Sequence, residues 1–254
     1  MHLSTASGEV EISQSVVRHE EIRSVLELAT KSSVHTSYAS LCEGFITVSG
    51  GHRISICGTA IRDGDCIKGF RDLSSVSIRI AKEIKDASAE IINHMFCEDS
   101  FCNTLIVSPP GHGKTTTLRD IVRRISNRGI RVSLIDEKGE VAAKYKGISQ
   151  FDIGECTDVI DGIDKASGAI MMLRSMTPDI IALDEITAGK DIDAVCSVFN
   201  CGVGILATAH GNSREELFFR PGYNKLKELG VFKKIVYLNK DNERFSYTVS
   251  EVRL

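Results

Sequence analysis

The stretch Asn103-Thr104-Leu105-Ile106-Val107-Ser108-Pro109-Pro110-Gly111-His112-Gly113-Lys114-Thr115-Thr116 constrains the fold more than any other part of the chain. An apolar run enters a loop of proline and glycine, passes Gly113-Lys114-Thr115 and continues into the helical segment Leu118–Ile125. Gly-Lys-Thr alone is weak evidence, but a strand before it and a helix after it are the context a phosphate-binding P-loop requires. Loop and helix N-terminal N–H groups then point at phosphate oxygens, and glycine lets the backbone come close. The expected contacts run through Pro109, Pro110, Gly111, His112, Gly113, Lys114, Thr115 and Thr116, with ATP and Mg2+ as the ligands. Lys114 is suited to bridge the β- and γ-phosphates, and the Thr115 hydroxyl to ligate Mg2+. Ser108 stands where the G-x-x-x-x-G-K-[ST] pattern has its first glycine, and a small residue is expected to be tolerated there.

Three further strand ends carry chemistry. Pro178-Asp179-Ile180-Ile181-Ala182-Leu183-Asp184-Glu185 reads as a buried strand closing on two carboxylates. Asp184 suits the Mg2+ shell, and Glu185 the orientation and polarisation of an attacking water. Val132–Ile135 runs into Asp136-Glu137-Lys138-Gly139-Glu140, which reads either as a solvated acidic turn or as a source of carboxylates near the γ-phosphate, Glu137 and Glu140 among them. Val203–Gly211 delivers Thr208 and His210, and a histidine there can sense a γ-phosphate through a bond made in only one nucleotide state. Parallel strands present their C-terminal ends on one edge, so all four runs converge there. Arg174, just before the Asp184 strand, is a candidate to neutralise transition-state charge in its own or a neighbouring subunit. The adjacent Met171, Met172 and Met176 read as core packing.

Texture divides the chain near residue 98. Ahead of that point, Glu9–Thr30 has helical spacing, Gly50-Gly51 and Asp63-Gly64-Asp65 mark tight turns between strands, and a helix is expected over about Ala87–Phe96. Cys97-Glu98-Asp99-Ser100 is the expected boundary, giving domains 1–98 and 99–254. Beyond it strand, loop and helix alternate as in a parallel α/β sheet, and Val231–Leu238 with Arg244–Val252 reads as a closing hairpin.

Composition removes several classes. The 254 residues carry a net charge of -3, and no apolar run approaches the ~20 residues of a membrane-spanning helix. The polar N-terminus is unlike a secretory signal. The eight cysteines form no C-x-x-C pair and read as reduced, mostly buried apolar residues. Residues 1–100 hold ten Lys/Arg against fourteen Asp/Glu, the wrong sign for a surface that tracks nucleic acid.

Taken together and in order, these motifs resemble the secretion ATPases of type II and type IV systems, within the RecA-like and AAA+ class. Asp136-Glu137-x-x-Glu140 looks like their Asp box and Ala207-Thr208-Ala209-His210 like their His box. The match is closer still to the stage III sporulation protein AA family. It is carried by Gly50-Gly51-His52-Arg53, Ser77-Ile78-Arg79-Ile80-Ala81, the Ser108–Thr116 loop, Arg174-Ser175-Met176-x-Pro178-Asp179 and Ala209-His210-Gly211. The resemblance implies a RecA-like (ASCE) P-loop NTPase domain behind a smaller α+β, KH-like N-terminal domain. It also implies ATP hydrolysis energising a membrane-associated sporulation complex, a homo-oligomer (a hexamer by analogy), and a membrane-embedded partner protein reached from the cytoplasm of the mother cell. The hairpin at Gly50-Gly51 comes sooner than in that family, so a short N-terminus is expected. Asp184-Glu185 stands where secretion ATPases carry Gly-Glu, which makes the expected Mg2+ site more conventional. Two other classes would leave marks of their own. A nucleic-acid-dependent ATPase would need a Gly-x-x-Gly clamp in its KH-like domain, and a small-molecule kinase an arginine-rich lid; the sequence shows neither.

Overall fold

The computed structural model describes residues 1–5, 8–30, 44–98, 100–187, 189–241 and 244–252. The chain forms two compact units, Met1–Lys82 and Glu83–Leu254.

In the first unit, β1 (His2–Thr5) and β2 (Gly8–Glu11) pair as an antiparallel hairpin, and α1 spans His19–Thr30. The helical spacing read from Glu9 therefore begins ten residues later, because Gly8–Glu11 is taken up as a strand. The Glu21 carboxylate accepts the Arg18 N–H at 2.7 Å, which caps the start of α1. Next come β3 (Phe45–Thr47), β4 (Arg53–Asp63) and β5 (Cys66–Arg79), an antiparallel meander turning where Gly50-Gly51 and Gly64 were expected to turn it. Ile46, Ile54 and Ile56 on the sheet bury against Val25, Leu26 and Ala29 of α1. The unit is α+β as expected, with one helix and a three-stranded meander besides the hairpin among its described residues.

The break between units falls after Lys82, not at residue 98. The expected helix over Ala87–Phe96 is a single 3-10 turn, Ile92–Met95, and its segment packs on the second unit. Ile91, Ile92 and Met95 sink into that unit's core, each burial contributing roughly 1.5–3 kcal/mol. Asp120 ties the same segment down. Its buried carboxylate accepts the Ser88 hydroxyl at 2.6 Å and N–H at 2.9 Å, and bonds from Arg123 and Arg124. The short antiparallel pair β6 (Phe96–Cys97) and β7 (Ser100–Phe101) follows, so Cys97 and Ser100 are paired strand residues and not parts of a linker.

Seven strands make the main sheet: β8 (Thr104–Ser108), β9 (Val132–Asp136), β10 (Thr157–Asp161), β11 (Ile180–Leu183), β12 (Gly204–His210), β13 (Lys234–Asp241) and β14 (Arg244–Glu251). Their spatial order is β10-β9-β11-β12-β8-β13-β14, parallel throughout except for the β13–β14 hairpin. Helix α2 (Lys114–Ser126) covers one face with Ile91–Met95. The other face is covered by α3 (Lys165–Ser175), α4 (Gly189–Asn200), α5 (Arg214–Phe219) and α6 (Pro221–Glu228). Burial on both faces explains why β8, β9 and β11 are almost continuously apolar in sequence. The thiols were expected mostly buried. Of the six cysteines whose exposure is described only Cys102 is buried, while Cys57, Cys97 and Cys201 are exposed, small enough to be tolerated in water. Met172 is core, but Met171 and Met176 stay 49% and 44% exposed.

Asp120 yields a stability test. Burial alone would raise its pKa, but bonds from Ser88, Arg123 and Arg124 win and hold it far below the usual carboxylate range. Its contribution is therefore fully present above about pH 4 and lost as pH falls toward the folded-state value. Asp120→Ala should lower unfolding free energy by about 3 kcal/mol in urea titrations at pH 7 and flatten the acid limb of the stability profile. An unchanged midpoint would contradict this docking.

Candidate functional site

The strand order puts β12 between β8 and β11, so the loop after β8 faces the ends of both. Register aligns them: Ser108 pairs with His210, and Ala207 with Leu183, which brings Thr208 beside Asp184. Ser108 is the last extended residue of β8, so the missing glycine costs nothing in backbone conformation. Its hydroxyl donates to the Pro109 carbonyl at 2.9 Å. Gly111 and Gly113 do need φ near 76° and 82°, and Gly113 is the N-cap from which α2 starts. His112 engages the Pro110 carbonyl at 2.9 Å, bracing the loop turn.

Lys114 is 8% exposed, and its ammonium donates inward to the Ser108 and Pro109 carbonyls at 3.2 and 3.3 Å and to His210 Nδ1 at 2.8 Å. Burial pulls its pKa down, against the opposing charges of Glu185 and Asp184. Lys114 has no acceptor, so His210 must accept at Nδ1 and carry its proton on Nε2, which lies 2.8 Å from Glu185 Oε1. Glu185 Oε2 receives Lys138 at 2.9 Å. Partial burial raises the Glu185 pKa, but Lys138, His210 and Lys114 outweigh it and leave the group below the ordinary glutamate range. The Glu185 backbone sits at φ 54°, a conformation L-residues rarely adopt, pinned where its N–H donates to Thr208 Oγ1 at 2.7 Å.

Asp184 accepts the Thr208 hydroxyl at 2.7 Å on one oxygen and the Thr115 hydroxyl at 3.1 Å on the other. Burial raises its pKa beyond what these bonds offset, and Asp136 and Glu140 push the same way. A desolvated carboxylate facing a hydroxyl is the pairing a hard divalent cation completes, so the residues present fit Mg2+.

The acidic run after β9 divides in role. Asp136 turns inward at 1% exposure and accepts the N–H groups of Glu140, Val141 and Ala142 at 2.9–3.1 Å, organising its own loop. Glu137 pairs with the buried ammonium of Lys165 at the start of α3. Glu140 contributes its carbonyl to Arg119 at 2.8 Å, and its charge bears on Asp184. Thr116 lies half-buried in the first turn of α2. Arg174 is not brought to this edge. Helix α3 returns from the end of β10 toward the start of β11, so its last turn, with an exposed Arg174, stands at the opposite edge from the loop. Lys138, which engages Glu185, has no sequence signal beyond its place within the acidic run after β9.

A P-loop at the end of β8, a carboxylate pair after β11 and an added strand between them define a RecA-like P-loop α/β fold. The chain matches the family described as "Sporulation stage III, protein AA" over residues 6–248, and it belongs to that family. It is 34% identical over 239 residues to Stage III sporulation protein AA of Bacillus subtilis, spanning 92% of this chain and 76% of the relative. Among solved structures it resembles the ATPase DotB of Yersinia pseudotuberculosis at 17% identity and a TM-score of 0.61, covering 96% of this chain and 70% of that one. The pilus retraction motor PilT, solved with ADP, gives 11% identity and a TM-score of 0.50 over 80% of this chain and 60% of that one.

The Asp184 carboxylate carries a testable cost. Its raised folded-state pKa means that its stabilising, protonated state is complete below the unfolded pKa and lost as pH rises through the folded one. Asp184→Asn should therefore raise the melting temperature of the ligand-free protein at neutral pH and abolish the further rise produced by Mg2+ with nucleotide. Differential scanning fluorimetry checks both, and a lower melting point in the variant would overturn the burial argument.

Proposed function

We propose that this chain is an ATP-hydrolysing motor whose Ser108–Thr116 loop binds the phosphates and whose Glu185 positions the attacking water. The observation that carries the reading is the relay Lys114–His210–Glu185, in which one imidazole joins the P-loop lysine to the carboxylate after β11. Lys114 and the loop N–H groups hold the phosphates, and Thr115 with Asp184 hold Mg2+. The bound ion supplies Lewis-acid polarisation of the phosphoryl oxygens. Glu185, ionised at neutral pH, accepts a proton from water aligned for in-line attack. His210 reports the γ-phosphate: when Lys114 turns to phosphate, His210 loses its donor and Glu185 is freed from the relay.

Family membership supports a role in sporulation, and the likeness to DotB and PilT supports the fold of a motor. No helix among the described residues is long and apolar enough to cross a membrane. In this reading the chain works as a homo-oligomer, a hexamer by analogy, from the cytoplasmic side against a membrane-embedded partner in the mother cell. Arg174 then acts on a neighbouring copy's phosphates, since α3 carries it away from its own. Glu140 adds to the acidic field at Asp184, and Glu137 acts through its pair with Lys165. The first unit takes the place of the KH-like module that the family resemblance implies.

Glu185→Gln should bind ATP with unchanged affinity and lose turnover by about 100-fold or more in a phosphate-release assay. Lys114→Ala should instead weaken binding itself in a fluorescent-nucleotide titration. Specific activity should rise with protein concentration, and added DNA or RNA should leave it unchanged. Full hydrolysis by the Glu185→Gln protein would sink the assignment.

A further inference from the structure

The closing hairpin ends beside the phosphate loop. Because β13 runs parallel to β8, the Lys240–Phe245 pair of the hairpin lies toward the edge where Ser108–Thr116 lies. On the face of this hairpin that packs toward α2, Val236 pairs with Val249 and Leu238 with Tyr247, and all four join the α2 core. Strand alternation puts the next pair, Lys240 and Phe245, on the same face. There the core has run out. Helix α2 begins only at Lys114, and Phe245 is 62% exposed.

Phe245 nevertheless has a fixed neighbour. A Cβ built on Gly113 would stand 3.4 Å from Phe245 Cε1, so the ring edge abuts the backbone of the residue before the P-loop lysine. Lys240 Nζ lies 5.2 Å from the ring centroid. A single exposed aromatic is ordinary on a protein surface, but one seated against a phosphate-binding loop is placed where a ligand passes.

Strand order says which part of the ligand that is. Asp184, Glu185 and His210 stand at the ends of β11 and β12, on one side of β8, and Lys114 leans toward them. The terminal phosphate belongs on that side. The hairpin lies on the other, about 10 Å from β12 at two strand spacings. A nucleotide whose phosphates cross the loop must therefore release its ribose and base toward β13 and β14.

We propose that Phe245 is the stacking platform for the nucleotide's purine base, with Lys240 beside it, so that the closing hairpin completes the ligand site. The assignment rests on the nucleotide reading above and adds the base-binding residue to it. Stacking tolerates any flat π-system, so the ring binds adenine and guanine alike, and discrimination between them lies elsewhere.

The chain contains no tryptophan, so Phe245→Trp introduces a single fluorescent reporter at the platform. In full-length protein with Mg2+, ADP should change its emission, and inorganic tripolyphosphate, which has no base, should not. By calorimetry Phe245→Ala should bind ADP about tenfold more weakly while tripolyphosphate affinity stays within about twofold, and Phe245→Tyr should restore ADP binding. Lys114→Ala should weaken both ligands. Wild-type ADP affinity in Phe245→Ala would overturn the platform and leave the nucleotide reading standing, as would equal weakening toward ADP and tripolyphosphate. Failure of the wild-type protein to bind either ligand would remove the nucleotide reading and the platform with it.

Discussion

Charge held away from water at one sheet edge is the constraint on which the second unit turns. Lys114 is almost fully buried with no carboxylate in direct contact among the described residues, its positive charge shared among two carbonyls and an imidazole. Asp184 is half-buried, with hydroxyls as its only side-chain partners among the described residues. Either group alone pays heavily in desolvation, and in both the pKa moves toward the neutral form. Such an arrangement persists only where the surrounding backbone leaves no freedom to relax. Here that backbone is β8, β11 and β12 in parallel register, locked between two apolar layers.

The strain is local and has identifiable supports. Thr208 is fully buried, donates to Asp184 and receives the N–H of Glu185, so one hydroxyl sets both carboxylates after β11. The carbonyl of the same residue accepts the Ile186 N–H at 2.9 Å, extending the clamp past the left-handed Glu185. Tyr223 fastens the far side, donating its hydroxyl to the Ile186 carbonyl, and burial pushes its pKa up to about 12. Residues on β12 and α6 thus hold a segment that no regular element contains, and a site of this kind gains precision from rigid neighbours rather than from its own loop.

Much of this was legible before any coordinates. Doubly buried strands advertise themselves as apolar runs, so β8, β9, β11 and β12 and their polar ends could be read directly, as could the closing hairpin. The unit boundary could not. Residues 83–98 look detachable because Ser88 and Asp86 are polar, and only Asp120, more than thirty residues away, shows that this polarity is spent inside the fold. Direction along a helix was equally invisible. Arg174 stands beside the Asp184 strand in sequence, yet the antiparallel return of α3 carries it to the far edge. Lys165 and Lys138 carry no signal of their own for a related reason, since each matters through a partner at least 28 residues distant.

The polar groups at this edge satisfy one another. Lys114 has three acceptors, both oxygens of Glu185 are engaged, and both oxygens of Asp184 are bonded. In the nucleotide reading proposed above, a phosphate would compete with Ser108, Pro109 and His210 for Lys114, and a cation would compete with Thr115 and Thr208 for Asp184. Binding free energy is then a difference between external and internal bonds, smaller than the contacts in the bound state alone would suggest. Lys138 joins Glu185 to the turn after β9, whose N–H groups converge on Asp136 and whose Glu140 carbonyl is held by Arg119 from α2. His210 joins Lys114 to Glu185, Glu185 joins Lys138, and Lys138 belongs to a loop anchored by Arg119 to the helix that begins with Lys114 itself. The chain of contacts therefore closes on its own starting point.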